Sequence, residues 1–158
     1  MSEPTQVKAD LIPYTDEYAD MVRGWIDSEE TYQFVCRGKN FPPPDELVKS
    51  WQREGITSFL LFADRKPVAY GELWNRPKEL AVEIAHVLVN PYSRSQGLGT
   101  KMVNLLYARG AARPDVAKVL ANVYNENEFG LACLLKAGFE LVSTTNFGGG
   151  LRVVKMVR

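Results

Sequence analysis

Apolar positions change period several times along the chain, and each change marks an element. Residues 7–13 read as a first strand. Tyr18, Val22, Trp25 and Ile26 then recur at helical spacing behind Thr15, whose hydroxyl suits a helix N-cap. A second short helix is expected over residues 28–36. It cannot continue through Phe41-Pro42-Pro43-Pro44, because proline lacks the N–H a helix needs, and a third helix opens over 45–53. Residues 57–64 and 67–74 are apolar and β-prone on either side of Arg65-Lys66, which predicts an antiparallel hairpin. A long strand over 80–89 follows. Past it, Leu98, Met102, Leu105 and Leu106 repeat with helical period, so the chain turns from a strand into an amphipathic helix that ends near Arg113-Pro114. Residues 116–124 read as a strand, 126–137 as a helix closed by Gly138, and 139–145 with 151–157 as a terminal hairpin around Gly148-Gly149-Gly150. The order is that of an α/β domain, a mixed sheet flanked by helices, occupying 1–158 in one piece with 1–6 as a flexible leader.

Composition narrows the classes of function. Acidic and basic residues balance at 19 each with no long basic run, which removes the electrostatic case for nucleic-acid or membrane-surface binding. The two cysteines, Cys36 and Cys133, are not in CxxC spacing, and a lone histidine does not make a zinc site with them, so no metal is expected. The N-terminus carries no signal-peptide pattern and no apolar run approaches the ~20 residues of a membrane span, so a cytoplasmic protein with reduced thiols is expected.

The strongest chemical signal is the strand-to-helix junction running into Arg94-Ser95-Gln96-Gly97-Leu98-Gly99-Thr100. Glycines without Cβ atoms let backbone N–H groups close on phosphate oxygens, the following helix presents its positive end, and Arg94 adds a cation. A glycine turn that only redirects the chain is the alternative. A Walker A loop is excluded because Gly99-Thr100-Lys101 puts hydroxyl and ammonium in the wrong order. A dinucleotide fingerprint is excluded because Met102 stands where its third glycine belongs.

At these residues the chain resembles the GNAT N-acetyltransferase superfamily, whose signature Arg/Gln-x-x-Gly-x-Gly/Ala is met by Arg94 to Gly99. Asn127, Gly130 in the usual alanine place and Gly138-Phe139 match a second family element downstream. The resemblance implies a mostly antiparallel, twisted sheet of six to seven strands, splayed between the fourth and fifth, with acetyl-CoA as cosubstrate in the opening. It implies that backbone groups of Val87, Leu88 and Val89 pair with the pantetheine arm, that the pyrophosphate lies on the turn, and that Asn127 holds the arm. Asn127 also reads as an ordinary helix cap. The implied reaction is direct attack of a primary amine on the thioester within a ternary complex; the alternative is an acyl-CoA-binding or sensor domain without turnover.

Catalysis by direct attack needs a base. Glu83 is the first candidate: it interrupts an apolar strand, where burial makes a carboxylate a stronger base, and it stands eleven residues before Arg94, the offset that the resemblance gives for the glutamate base of the histone-acetyltransferase branch. A salt-bridged Glu on a strand face is the other reading. Where many family members carry a thiolate-protonating Tyr, this chain has Leu134, so the thiolate leaves unprotonated, or a donor such as Tyr124, Cys133 or water reaches it, or catalysis is slow. Asn122 stands where the branch acting on protein N-termini often has an acid. His86 lies on the face opposite Glu83 if the strand is regular, and reads as structural. The acceptor, a small-molecule amine or a peptide or protein amine, is expected among the front helices, the proline run and the last hairpin. Tyr32, Phe34, Phe41, Trp74 and Phe147 are candidate walls there, and Glu29, Glu30 and Asp45 candidate attractors of a cation. Dimerisation through the C-terminal strands is compatible with such a fold.

Overall fold

The computed structural model describes residues 8–144 and 150–157; the leader 1–6, Phe147 and the glycines at 148 and 149 lie outside the described residues. Seven strands form one sheet: β1 (Ala9–Pro13), β2 (Ile56–Ala63), β3 (Lys66–Arg76), β4 (Ala81–Val89), β5 (Lys118–Tyr124), β6 (Glu140–Thr144) and β7 (Gly150–Met156). Their spatial order is β1-β2-β3-β4-β5-β7-β6, and every neighbouring pair is antiparallel except β4 with β5. A parallel pair needs a crossover, and α4 (Leu98–Ala111) supplies it.

Helices cover both faces, which is why β2 is apolar without alternation. Phe59, Leu61 and Ala63 pack into a core with α4 and α5 (Glu128–Lys136), while Leu60 faces a second core with Val22, Trp25, Tyr32, Val48 and Trp51. The second core belongs to the front helices α1 (Ala19–Gly24), α2 (Glu29–Cys36) and α3 (Leu47–Ser50). Gly110 has no room for a side chain, since a Cβ there would stand 2.6 Å from Val82 Cγ2, and this brings α4 down onto the sheet.

The predicted elements are present with shifted ends at the front. The helix expected behind Thr15 begins as a 3-10 turn over Asp16–Tyr18, and Thr15 makes no capping bond; its hydroxyl donates to Glu17 Oε1 at 3.0 Å. Ser28 does cap, with Oγ accepting from Thr31 N at 3.1 Å. The helix expected over 45–53 is a single turn, because its flanking residues bond in 3-10 fashion, as Trp51 N does to Val48 O. The hairpin turns at Asp64 and Arg65, both in the left-handed region.

The consequential difference is in β4. Tyr70 pairs with Leu88 but Glu72 pairs with Ala85, so the single residue Gly71 faces both His86 and Val87. This is a bulge, and His86 takes its strained position at φ 51°. The expectation that His86 faces away from Glu83 assumed a regular strand and is corrected here. The extra residue rotates the imidazole onto the front-helix face, where its ring lies against Trp51 and Trp74.

Candidate active site

β4 and β5 are hydrogen-bonded only from Ala81↔Lys118 to Ile84↔Ala121. Beyond Ile84 the bulge carries β4 away from β5, and the strands part. The opening is a cavity of about 520 Å³, within the usual range for ligand sites. Its walls include Val87, Leu88 and Val89 from β4, Ala121 and Asn122 from β5, Phe34 from α2, and Cys133 and Leu134 from α5. Phe34 and Tyr124 have their rings 6.1 Å apart, so α2 leans over β5 at this edge.

At the wide end the chain leaves β4 through Asn90, whose Oδ1 accepts from Tyr92 N at 3.1 Å, and enters the glycine turn. Ser95 at φ 67° and Gly97 at φ 74° are both left-handed, and Gly97 is the N-cap of α4. Successive backbone N–H groups bent in this way at a helix start form an anion-binding concavity. The two glycines differ in purpose. A Cβ on Gly97 would meet nothing within 4 Å, so its need for glycine is conformational, whereas one on Gly99 would stand 2.9 Å from Cys133 Sγ and 3.3 Å from Phe129. Gly99 therefore lets α5 pack against α4. Arg94 is engaged rather than free: its guanidinium bonds Asp27 through two contacts of 3.4 Å, with both side chains 41% exposed.

Of the sequence-predicted cofactor residues, Val87, Leu88, Val89, Arg94, Ser95, Gly99 and Asn127 line the cavity; Gln96, Gly97, Leu98 and Thr100 form the turn and helix start beside it. Asn127 caps α5, with Oδ1 accepting from Gly130 N at 3.0 Å. Gly130 replaces alanine for a steric reason, since a Cβ there would come within 2.5 Å of Asn127 Nδ2.

Glu83 is 6% exposed and its Oε1 takes two bonds from Arg76, from Nε at 3.0 Å and from a terminal nitrogen at 2.5 Å. It is absent from the cavity wall. Asn122 is occupied too, its Oδ1 accepting from Arg152 Nε at 3.1 Å, and Arg152 also pairs with Glu79. Among the acceptor-site candidates, Phe34 and Glu30 reach the cavity; Tyr32 is buried in the front core, and Asp45 stands 3.7 Å from Arg23.

The sequence reading passed over Glu72. It is fully buried, its carboxylate accepting from the Tyr70 hydroxyl and, at 2.7 Å, from Trp74 Nε1, while His86 Nδ1 stands 2.9 Å from Oε1. No hydrogen bond joins His86 Nδ1 to this carboxylate, so the contact is one of proximity. Gln52 Nε2 donates to Tyr70 at 3.0 Å and Ser58 donates to Gln52 Oε1 at 2.6 Å, which extends the network to β2. Burial, then the Glu72 charge, pushes the Tyr70 hydroxyl far above its ordinary range, and burial raises the Cys36 thiol to about 11. A polar residue between the apolar Tyr70-Gly71 and Leu73-Trp74 was the available signal.

The model of the acetyltransferase (GNAT) family matches residues 19–139. The chain belongs to the GNAT acetyltransferase family. It is an acetyl-CoA-dependent N-acetyltransferase. An N-acetyltransferase 9-like protein of Nematostella vectensis is 24% identical over 148 residues, covering 84% of this chain and 75% of that one. Among solved structures, an aminoglycoside acetyltransferase with coenzyme A and kanamycin superimposes with a TM-score of 0.78 at 20% identity, over 94% of this chain and 95% of that one. A domain from Methanocaldococcus jannaschii gives 0.81 at 16% identity, over 96% and 99% of the two chains. The acetyltransferase shares their fold. Among the described residues no helix is long and apolar enough to cross a membrane, and no cluster of potential metal ligands occurs.

Proposed function

We propose that acetyl-CoA lies in the β4–β5 opening with its pyrophosphate on Arg94 to Thr100, and that a primary amine entering from the front-helix side attacks the thioester directly. The observation that carries this reading is the parting of two parallel strands beside a left-handed turn that opens a helix. It leaves strand edge along Val87 to Val89 for an extended arm and a concavity of N–H groups for the phosphates. Asn127, fixed as a cap, lines the opening from the α5 side and holds the arm there. Glu83 is the base that the strand offset points to, but its pairing with Arg76 and its place outside the wall do not favour it.

The acceptor is an amine. Acetyltransferases of the same fold are solved with kanamycin and with spermine, and another is a ribosomal-protein alpha-N-acetyltransferase. Glu30 on the wall, beside Phe34, supplies a negative charge and an apolar surface that suit a cationic amine on a carbon skeleton.

Calorimetric titration with acetyl-CoA tests the placement. Saturable binding is expected, with loss of at least about tenfold in affinity in the Arg94→Ala/Gly97→Val double variant, consistent with removal of one charge-assisted contact of roughly 1.5–3 kcal/mol. Equal affinity of the two proteins would remove the pyrophosphate from the turn. Turnover with kanamycin, spermidine or an N-terminal peptide separates an enzyme acting on small amines from one acting on proteins.

A further inference from the structure

We propose that His86 takes the proton from the attacking amine, and that Glu72 is the residue that orients it. This rests on the cofactor placement above. With the pyrophosphate on the turn, the arm runs back along β4 past Val89, then Leu88, then Val87, and each residue carries it about 3.3 Å further from the turn. The next residues in that direction are His86 and Ala85. The thioester end of the arm therefore arrives at the bulge, where β4 and β5 stop pairing.

His86 stands at that place. Its side chain is 14% exposed, it contributes to the cavity wall, and the bulge has turned it onto the front-helix face from which the amine enters. The ring is fixed by Trp51, with centroids 4.1 Å apart, and by Trp74, edge-on at 5.3 Å. Nδ1 is buried 2.9 Å from a Glu72 oxygen. Although the two are not aligned for a hydrogen bond, at this distance the carboxylate oxygen attracts a hydrogen on Nδ1 and repels a lone pair there, so Nδ1 carries the hydrogen and Nε2 carries the lone pair. Glu72 cannot turn away, because Tyr70 and Trp74 hold its two oxygens.

The step balances with one proton. The neutral amine nitrogen forms a bond to the thioester carbon, its N–H proton passes to Nε2, and the C–S bond breaks to release the thiolate. The imidazolium, stabilised by Glu72, returns that proton to the sulfur, so amine and acetyl-CoA give acetamide and coenzyme A thiol. An amine arriving as ammonium first sheds one proton to solvent. This accounts for Leu134 in the place of the usual Tyr: the proton taken from nitrogen serves the leaving group.

His86 is the only histidine, so its imidazole nitrogens are read without assignment ambiguity by long-range nitrogen–proton NMR. With acetyl-CoA bound, the neutral ring is expected as the Nδ1–H tautomer. A dominant Nε2–H tautomer in that complex overturns the assignment and leaves the cofactor placement standing; failure of the native protein to bind acetyl-CoA overturns both. In turnover with whichever of kanamycin, spermidine or an N-terminal peptide the native enzyme acetylates, His86→Gln is expected to lower kcat by about 10²–10⁴-fold. The KM for acetyl-CoA should stay within about threefold, and a kcat within about threefold of native would overturn the proposal. Glu72→Gln should displace the pH profile of kcat/KM, which a merely structural role would not do. Tyr14, Tyr70 and Cys36, near Glu72, are held protonated through the neutral range by burial. Charged groups lining that cavity are Arg94, Glu30, Glu126 and Glu128; Arg76 pairs with Glu83 on the same face, Arg94 with Asp27 and Arg23 with Asp45 on the front helices, and Asp16 and Asp20 lie near Tyr14.

Discussion

The two ends of the β4–β5 opening do different work with different materials. At the wide end, consecutive residues from Arg94 to Thr100 present backbone N–H groups and one half-exposed guanidinium, with Gly99 seated against Cys133 and Phe129 behind them. At the narrow end, Glu72 from β3, His86 from the bulge in β4 and Trp51 just beyond α3 meet as side chains largely shielded from solvent. A backbone site is written in neighbouring residues. A side-chain site is written in the register between strands, so one extra residue in β4 decides which groups share a face.

The largest effect expected is the loss of turnover in His86→Gln, since it removes the proton acceptor at the narrow end while leaving the wide end intact. Glu83→Gln sharpens the contrast: kcat should fall by less than about tenfold, far short of the range for a lost general base, if the carboxylate chiefly holds Arg76. A fall as deep as that of His86→Gln would restore Glu83 as the base. At the wide end, Gly99→Val should destabilise the protein by about 1–3 kcal/mol in urea unfolding, because the side chain overpacks against Cys133 and Phe129. Gly97→Val should cost about 1–2 kcal/mol from its left-handed backbone alone, with no clash to relieve. The smallest effect is that of Asp27→Asn. It frees Arg94 from a half-exposed pair worth at most about 1 kcal/mol, so acetyl-CoA should bind up to about fivefold more tightly. That gain should vanish near 1 M salt, where screening acts within about 3 Å.

Much of this was legible in residue order. The hairpin, the strand over 80–89, the helix from Leu98 and the last helix each announce themselves by period and by a turn residue, and the glycine turn carries its own chemistry. The front helices were less so. Their one to two turns are held by tertiary packing of Trp25, Tyr32, Val48 and Trp51 rather than by propensity, and short helices have little intrinsic stability to reveal them. Period two, the only assumption a lone strand allows, points His86 away from Glu83; the bulge opposite Gly71 needs the partner strand to be seen. Glu72 carried only the sign of a carboxylate in an apolar strand, since its nearness to His86 depends on the pairing of β3 with β4.

By itself, the order of residues determined the elements and the glycine turn, because each depends on contacts between near neighbours in the chain, and the order of those elements pointed to a mixed sheet. Only the tertiary structure decided that Arg94 is paired with Asp27, that Glu83 is pinned by Arg76, and that His86 stands over Glu72. Those pairings join residues brought together by strand register and helix docking, and a one-residue change in register moves a side chain from one face of a sheet to the other.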